Sequence, residues 1–236
     1  MNDLVVSALS CAREVQSGDD LVSLLLDALA AANRTLGDGD VVVVTSKVVS
    51  KSEGRVVRFD GTEQAKLRLI DDESTRVLRR RGGLRITETA HGFVNANAGI
   101  DLSNTSPGTA VLLPTDPDRS ARRLRSELAR RIHLEVGVVI TDTFGRAWRN
   151  GVTDVAIGSA GIQAILDLRG TRDANGRLLE ATEVAVVDEI AAAANLVLHK
   201  AAATPFAILR GLDTSFFGQG SILGDVVRAR HDDLFR

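Results

Sequence analysis

The sequence predicts an α+β (mixed α/β) protein built on mixed sheets, and three observations carry the prediction. Short aliphatic runs, above all the four valines at 41–44, are bounded by glycine or polar residues, as buried strands are. Segments with apolar residues at helical spacing stand between them. The two kinds of segment do not alternate strictly, however, as a doubly wound parallel fold would require. Only 3% of residues are aromatic against 44% hydrophobic, so small and medium aliphatic side chains must fill most of the core.

Asp19 to Leu36 reads as the first helix, because Leu21, Leu24, Leu25, Ala28, Leu29 and Ala32 fall on one face. Gly37, Asp38 and Gly39 break it, and VVVVTSK follows as a buried strand. Thr62 to Arg81 reads as a helix stopped by Gly82 and Gly83, with a strand from Leu84 to Glu88 and another from Ala110 to Leu113. Asp116, Pro117 and Asp118 form a helix start, a side-chain acceptor followed by proline in the first turn, and Leu124, Leu128 and Ile132 give that helix its apolar stripe. Val136 to Ile140 and Asp154 to Ile157 read as strands, and Asp173 to Arg177 as a turn between extended segments. Thr182 is placed to cap a long alanine-rich helix reaching about Lys200, after which Pro205 to Leu209 is a last strand.

Composition narrows the function. The chain has 236 residues, enough for a sizeable core, and its 29 basic and 31 acidic side chains give a formal charge of −2. No global field favours nucleic acid or an anionic membrane, so neither is an expected partner. Cys11 is the only cysteine, which excludes an internal disulfide or a thiolate zinc cage and fits a reducing, cytoplasmic location. The N-terminal run carries Asp3 and lacks a basic leader, making it a poor signal peptide. The long uncharged stretches, Leu102 to Thr115 and Val155 to Leu166, fall short of the roughly 20 residues that span a bilayer.

Three polar turns carry the chemistry. TSKVVSK, residues 45–51, follows a buried strand and offers Ser46, Lys47, Ser50 and Lys51, hydroxyls and ammonium groups suited to phosphate oxygens. It lacks the glycines of a Walker A loop, and a solvated strand end is the bland alternative. NANAGIDLSN, residues 95–104, supplies Asp101, Ser103 and Asn104, which could equally be ordinary turn residues. TDTFGRAWRNG, residues 141–151, places Asp142 and Thr143 at the carboxyl end of a strand, where open sheets hold ligands. Two aspartates, a hydroxyl and an amide are hard oxygen donors for Mg²⁺ or Mn²⁺, and together the turns describe a metal-nucleotide site.

His91 is a candidate base or anion contact, although a lone histidine beside glycine more often bonds structurally. Arg146 and Arg149 bracket Trp148 and are candidates for phosphate or carboxylate binding, with a structural ion pair as the alternative. The arginines at 76, 79–81 and 85, and those at 119–131, read as solvated helix faces, since no aromatic residues interleave with them.

GDVVVVTSKVVSKSEGRVV, ITETAHGFVNANAGIDLSN, LLPTDPDRSARRLR and VVITDTFGRAWRNGVTDVAIGSAGI resemble, in this order, segments of the coenzyme F420-0:L-glutamate ligase (gamma-glutamyl ligase) family, or the ligase domain of its bacterial two-domain form. So does the stretch from Leu166 to Leu212, and the resemblance runs from about residue 14 to 212. It implies an uncommon α+β fold in an intertwined homodimer, and a reaction that joins L-glutamate to the lactyl carboxylate of coenzyme F420-0 at the expense of GTP, with Mg²⁺ or Mn²⁺ and K⁺ as a further candidate cation. Extension by γ-linked glutamates is implied as well. By motif, Asp101, Asp142 and Thr143 resemble the metal ligands, while Ser46, Lys47, Lys51 and Asn104 resemble the GTP contacts.

The resemblance also sets residues 1–212 as a ligase domain and 213–236 as a tail of the kind that leads, in bacterial relatives, into a flavin-binding domain. The chain departs from the pattern at three places. Cys11 to Glu14 stands where many members have a Gly-Leu-Pro-Glu turn at the nucleotide, Ala90 replaces a common arginine, and near Lys200, a lysine that cannot coordinate while protonated, archaeal members often carry a glutamine that helps bind a second metal. Two rival readings are a ligase for another acid and amine, and a nucleotide-binding regulatory subunit without turnover.

Overall fold

A computed structural model describes residues 3–103, 105–198 and 203–234 of the chain. In chain order it begins with strand β1 (Val5–Leu9), helix α1 (Leu21–Ala31), β2 (Val41–Thr45), α2 (Ser46–Ser52), β3 (Val56–Arg58) and α3 (Glu63–Asp72). Next come β4 (Ser74–Arg81), β5 (Leu84–Thr89), β6 (Val94–Ala96), β7 (Thr109–Val111) and α4 (Pro117–Ile132). The last part contains β8 (Gly137–Arg146), β9 (Arg149–Ala160), β10 (Leu166–Asp167), β11 (Glu183–Val184), α5 (Val186–Asn195) and β12 (Phe206–Arg210). The architecture is α+β.

The central sheet has the strand order β1-β12-β2-β8-β9. Only β2 and β8 run parallel, from Val41 beside Gly137 to Thr45 beside Thr141; the other neighbours are antiparallel. The valines of β2 are all buried, which is why this strand is apolar throughout rather than alternating. At the opposite end of these strands the Asp40 carboxylate, itself buried, accepts two bonds from Arg210 of β12, at 2.7 and 2.6 Å. A second sheet, β4-β5-β6, and a two-stranded ribbon, β3-β7, bring in the middle of the chain.

Helix α4 starts as the sequence implies. The Asp116 carboxylate accepts from the Arg119 amide at 2.9 Å, Pro117 occupies the first turn, and Leu128 is buried with Leu124 and Ile132 packed beside it. Gly158 of β9 is needed there, because a Cβ would lie 2.3 Å from the Pro117 carbonyl oxygen. The turn from Asp173 to Arg177 also forms, with extended flanks bridged at Arg172 and Leu178.

Several expected elements differ. The first helix is shorter than Asp19–Leu36: Asp20 caps it, accepting from the Val22 amide at 3.0 Å, and Asn33 in a left-handed conformation ends it. The helix expected from Thr62 to Arg81 stops at Asp72, and Ser74–Arg81 is a strand paired with β5 through a turn at Gly82 and Gly83. The good helix propensity of its arginines and leucine yields there to sheet pairing. Thr182 does not cap a long helix, since Glu183 and Val184 pair with β10 and α5 begins only at Val186. TSKVVSK is not a turn: β2 ends at Thr45 and α2 follows at once. TDTFGRAWRNG is likewise not a loop, because antiparallel pairing continues β8 and β9 to Arg146 and Arg149. Strand β1 escaped the sequence reading altogether.

Asp118, buried in the first turn of α4, fastens the segment after β12. Its carboxylate accepts from the amides of Ser159, Ile222 and Leu223 and from the Ser221 hydroxyl at 2.7–3.1 Å, and Ile222 enters the core. Removing it with Asp118→Ala strands three amides and is expected to lower stability by about 2–4 kcal/mol, measured by urea denaturation; a loss below about 0.5 kcal/mol would contradict this anchoring role. No helix among the described residues is long and apolar enough to cross a membrane.

Candidate functional site

The parallel pairing of β2 with β8 ends at Thr45 and Thr141, and the cleft opens beyond that edge. Its volume is about 630 Å³. The direct passage from β2 into α2 puts Ser46, Lys47 and Lys51 on one wall, Asp142 and Thr143 of β8 form the floor, and Asp101 closes the far side. Valines 48 and 49 of α2 are buried, so the helix is anchored by its apolar face and presents its polar one.

These side chains are already bonded to one another. The Ser46 hydroxyl donates to Asp142 Oδ1 at 2.7 Å. Lys47 Nζ donates to the Ser103 carbonyl at 2.8 Å and lies 2.7 Å from Asp101 Oδ2, while the Ser103 amide donates to Asp101 Oδ1 at 2.7 Å. Lys51, buried, reaches the exposed Glu14 carboxylate at 2.5 Å. On the floor, Thr143 donates to Asp154 Oδ1 at 2.6 Å and Thr141 to Asp154 Oδ2 at 3.3 Å.

The electrostatics are uneven. Burial pushes the Asp142 carboxyl up to about 7, and the neighbouring Asp154 and Asp101 charges add to the rise against hydrogen bonds from Ser46 and the Thr143 amide. Burial acts to raise Asp101 too, but hydrogen bonds from Lys47 and Ser103 prevail and hold it below the usual carboxylate range. A positive charge beside Asp142 therefore meets a favourable field. Among the described residues no three His, Cys, Asp or Glu side chains converge as a metal cage. The donor set fits a hard cation held by one or two carboxylates and completed by a hydroxyl, water and phosphate oxygens, the usual manner of Mg²⁺.

Not every expected site residue reaches the cleft. His91 is stacked on Phe93 at 5.2 Å and bridges the carbonyls of Pro114 and Thr115, both 3.0 Å from Nε2, outside the cleft lining. Arg146 and Arg149 stand exposed near the tip of the β8–β9 hairpin, where Arg146 donates to the Asn150 carbonyl at 3.2 Å. Asn104 and Lys200 lie outside the described residues. Glu14 lines the cleft, within the Cys11 to Glu14 stretch that departs from the family pattern, and Asp154, which also lines it, escaped the sequence reading as a site residue. Asp154 carried one usable signal, a carboxylate at the head of the apolar run Val155, Ala156 and Ile157. A larger hollow, about 880 Å³, lies at the other end of β2 and β8, and its acids Asp40 and Glu135 are engaged by Arg210 and Arg125.

Fold and site together define an α+β protein whose ammonium groups, hydroxyls and carboxylates face one cleft beyond a parallel strand pair, a class of site that can receive an anion together with a hard cation. The chain belongs to the F420-0:gamma-glutamyl ligase family, whose model matches residues 11–211. It is 38% identical to the coenzyme F420:L-glutamate ligase of Methanothermobacter thermautotrophicus, over 94% of each chain. The enzyme of that name from Methanopyrus kandleri is 39% identical over 95% of this chain and 94% of its own, and that of Archaeoglobus fulgidus 38% over 94% and 92%.

Proposed function

We propose that the protein is a GTP- and divalent-metal-dependent ligase that adds L-glutamate to the lactyl carboxylate of coenzyme F420-0, with γ-linked extension by the same chemistry. The observation that carries this reading is the convergence of Ser46, Lys47 and Lys51 with Asp101, Asp142 and Thr143 on one cleft. The full-length similarity to ligases supplies the substrates.

A carboxylate does not acylate an amine near neutral pH, since its charge repels the nucleophile and oxide is a very poor leaving group. Transfer of the γ-phosphoryl group removes both obstacles. An oxygen of the acceptor carboxylate attacks the γ-phosphorus, the bond to the β-phosphate oxygen breaks, and GDP leaves. The glutamate amine then attacks the acyl carbon, phosphate departs, and the amine loses a proton. Ser46, Lys47 and Lys51 would bind the phosphates and offset the charge moving onto the leaving diphosphate. To do so the lysines exchange Asp101 and Glu14, their present partners, for phosphate oxygens. Asp101, Asp142 and Thr143 would hold Mg²⁺ or Mn²⁺, which supplies Lewis-acid stabilisation to the phosphate oxygens. No enzyme nucleophile is required.

Incubation with GTP, Mn²⁺ or Mg²⁺, L-glutamate and F420-0 should release GDP and phosphate and give a product heavier by one glutamyl residue. Exchange of GTP for ATP tests the base, on which Cys11 to Glu14 bears. Tight GTP binding without product from either nucleotide would sink the ligase reading in favour of a regulatory one. The homodimer is part of the proposal: the β8–β9 tip leaves Trp148 92% and Val152 63% exposed, surface that a second copy would cover. Sedimentation at micromolar concentration should give twice the chain mass, and a monomer would contradict it.

A further inference from the structure

We propose that Asp154 is a positioning residue, which takes the proton of the Thr143 hydroxyl as a hydrogen bond and so turns the lone pairs of that oxygen toward the bound cation. The inference rests on the metal-dependent reading above.

Antiparallel pairing sets Thr143 of β8 directly opposite Asp154 of β9. Asp154 is only 4% exposed, and both of its carboxylate oxygens are in use, Oδ1 by Thr143 at 2.6 Å and Oδ2 by Thr141 at 3.3 Å. A carboxylate oxygen accepts and does not donate, so both hydroxyl protons point into β9. A threonine hydroxyl carries one proton and two lone pairs. Left to rotate, it could turn either its proton or a lone pair toward the cleft before a cation arrives, and binding would first have to order it.

Beyond the bond it donates to Asp154, the Thr143 oxygen accepts none from any side chain among the described residues, and Thr143 lines the cleft beside Asp142. A register shift between Ile140 and Thr141 brings this pairing about, because β9 contains an extra residue, Ile157, at that level. Without the bulge, the residue opposite Thr143 would not be Asp154. Partners of this kind, one bond removed from a cation, fix the orientation of the group that holds it.

The test is a titration with Mn²⁺ alone, following the free-ion resonance, on wild type, Asp154→Asn, Thr143→Val and the double variant, with circular dichroism to verify folding. Asp154→Asn should weaken Mn²⁺ binding by about 10- to 100-fold. The double variant should bind no more weakly than Thr143→Val, because the carboxylate acts through the hydroxyl. Thr141→Val, which removes the other bond to Asp154, should bind nearly as wild type. Losses that multiply in the double variant would make Asp154 an independent contact, and an equal loss in Thr141→Val would make it a general support of the strand pair; either overturns the proposal. So does unchanged affinity in Asp154→Asn. If that variant does not fold, Asp154→Glu, which keeps the charge but displaces the acceptor, should show the same non-additivity with Thr143→Val. Binding of Mn²⁺ that survives Asp142→Asn would place the ion elsewhere and bring down the metal reading itself, whereas binding that needs Asp142 but ignores Asp154 overturns this inference only.

Discussion

Asp142→Asn is expected to reduce ligase turnover by about 10²-fold or more while the protein stays folded. A metal that stabilises transferring charge supplies several kcal/mol, each 1.36 kcal/mol being a factor of about ten in rate, and a neutral amide is a poor substitute ligand for a hard cation. Stability should move the other way. The folded-state value for Asp142, about 7, lies above the ordinary 3.8, so the native protein binds the extra proton between those values. Stability from that proton is full below about pH 4 and is lost as pH rises through about 7. In metal-free buffer at pH 8, Asp142→Asn escapes this loss and should melt at the same temperature as wild type or higher. Mn²⁺ should raise the melting point of wild type at that pH and leave the variant unmoved. Full turnover in the variant, or a large fall in its melting temperature, would remove Asp142 from the set of metal ligands.

That a carboxylate sits where it lowers stability is consistent with its use in the cleft, and part of this was legible in sequence. The polar residues after VVVV and after VVIT stood out because each interrupts an apolar strand. That they form one site was read from their shared chemistry and from the family resemblance, but the contacts between them were not legible, since these depend on β2 and β8 being neighbours although about a hundred residues separate them; Ser46 and Asp142, bonded in the fold, lie 96 apart. The pairing of Glu14 with Lys51 was hidden for the same reason, since 37 residues separate them. Asp154 was missed because its importance lies in the register of β9 against β8, and one bulge decides that register. The fold class and the start of α4 needed only local signals, the valine run and the Asp-Pro pair. The strand from Ser74 to Arg81 had local signals pointing the wrong way, and only its partner strand corrects them.

Lys51→Met should weaken GTP binding by about 10²-fold or more, the second large effect expected of this cleft. The ammonium is buried among polar neighbours, and a charge-assisted bond to phosphate in such a place is about twice as strong as a neutral one. A structural rival exists, because the observed partner of Lys51 is Glu14. The two roles separate through Glu14→Gln. Its carboxylate is mostly exposed, so the pair it forms contributes only about 0–1 kcal/mol, and losing it should leave the melting point nearly unchanged. If Lys51 serves phosphate, Glu14→Gln keeps GTP binding within a few-fold of wild type, or tightens it by freeing the ammonium, while Lys51→Met alone suffers the large loss. If Lys51 exists for Glu14, the two variants lose nucleotide affinity together or not at all. Calorimetric titration of GTP into the three proteins decides between these outcomes, and equal effects in both variants would withdraw Lys51 from the phosphate site.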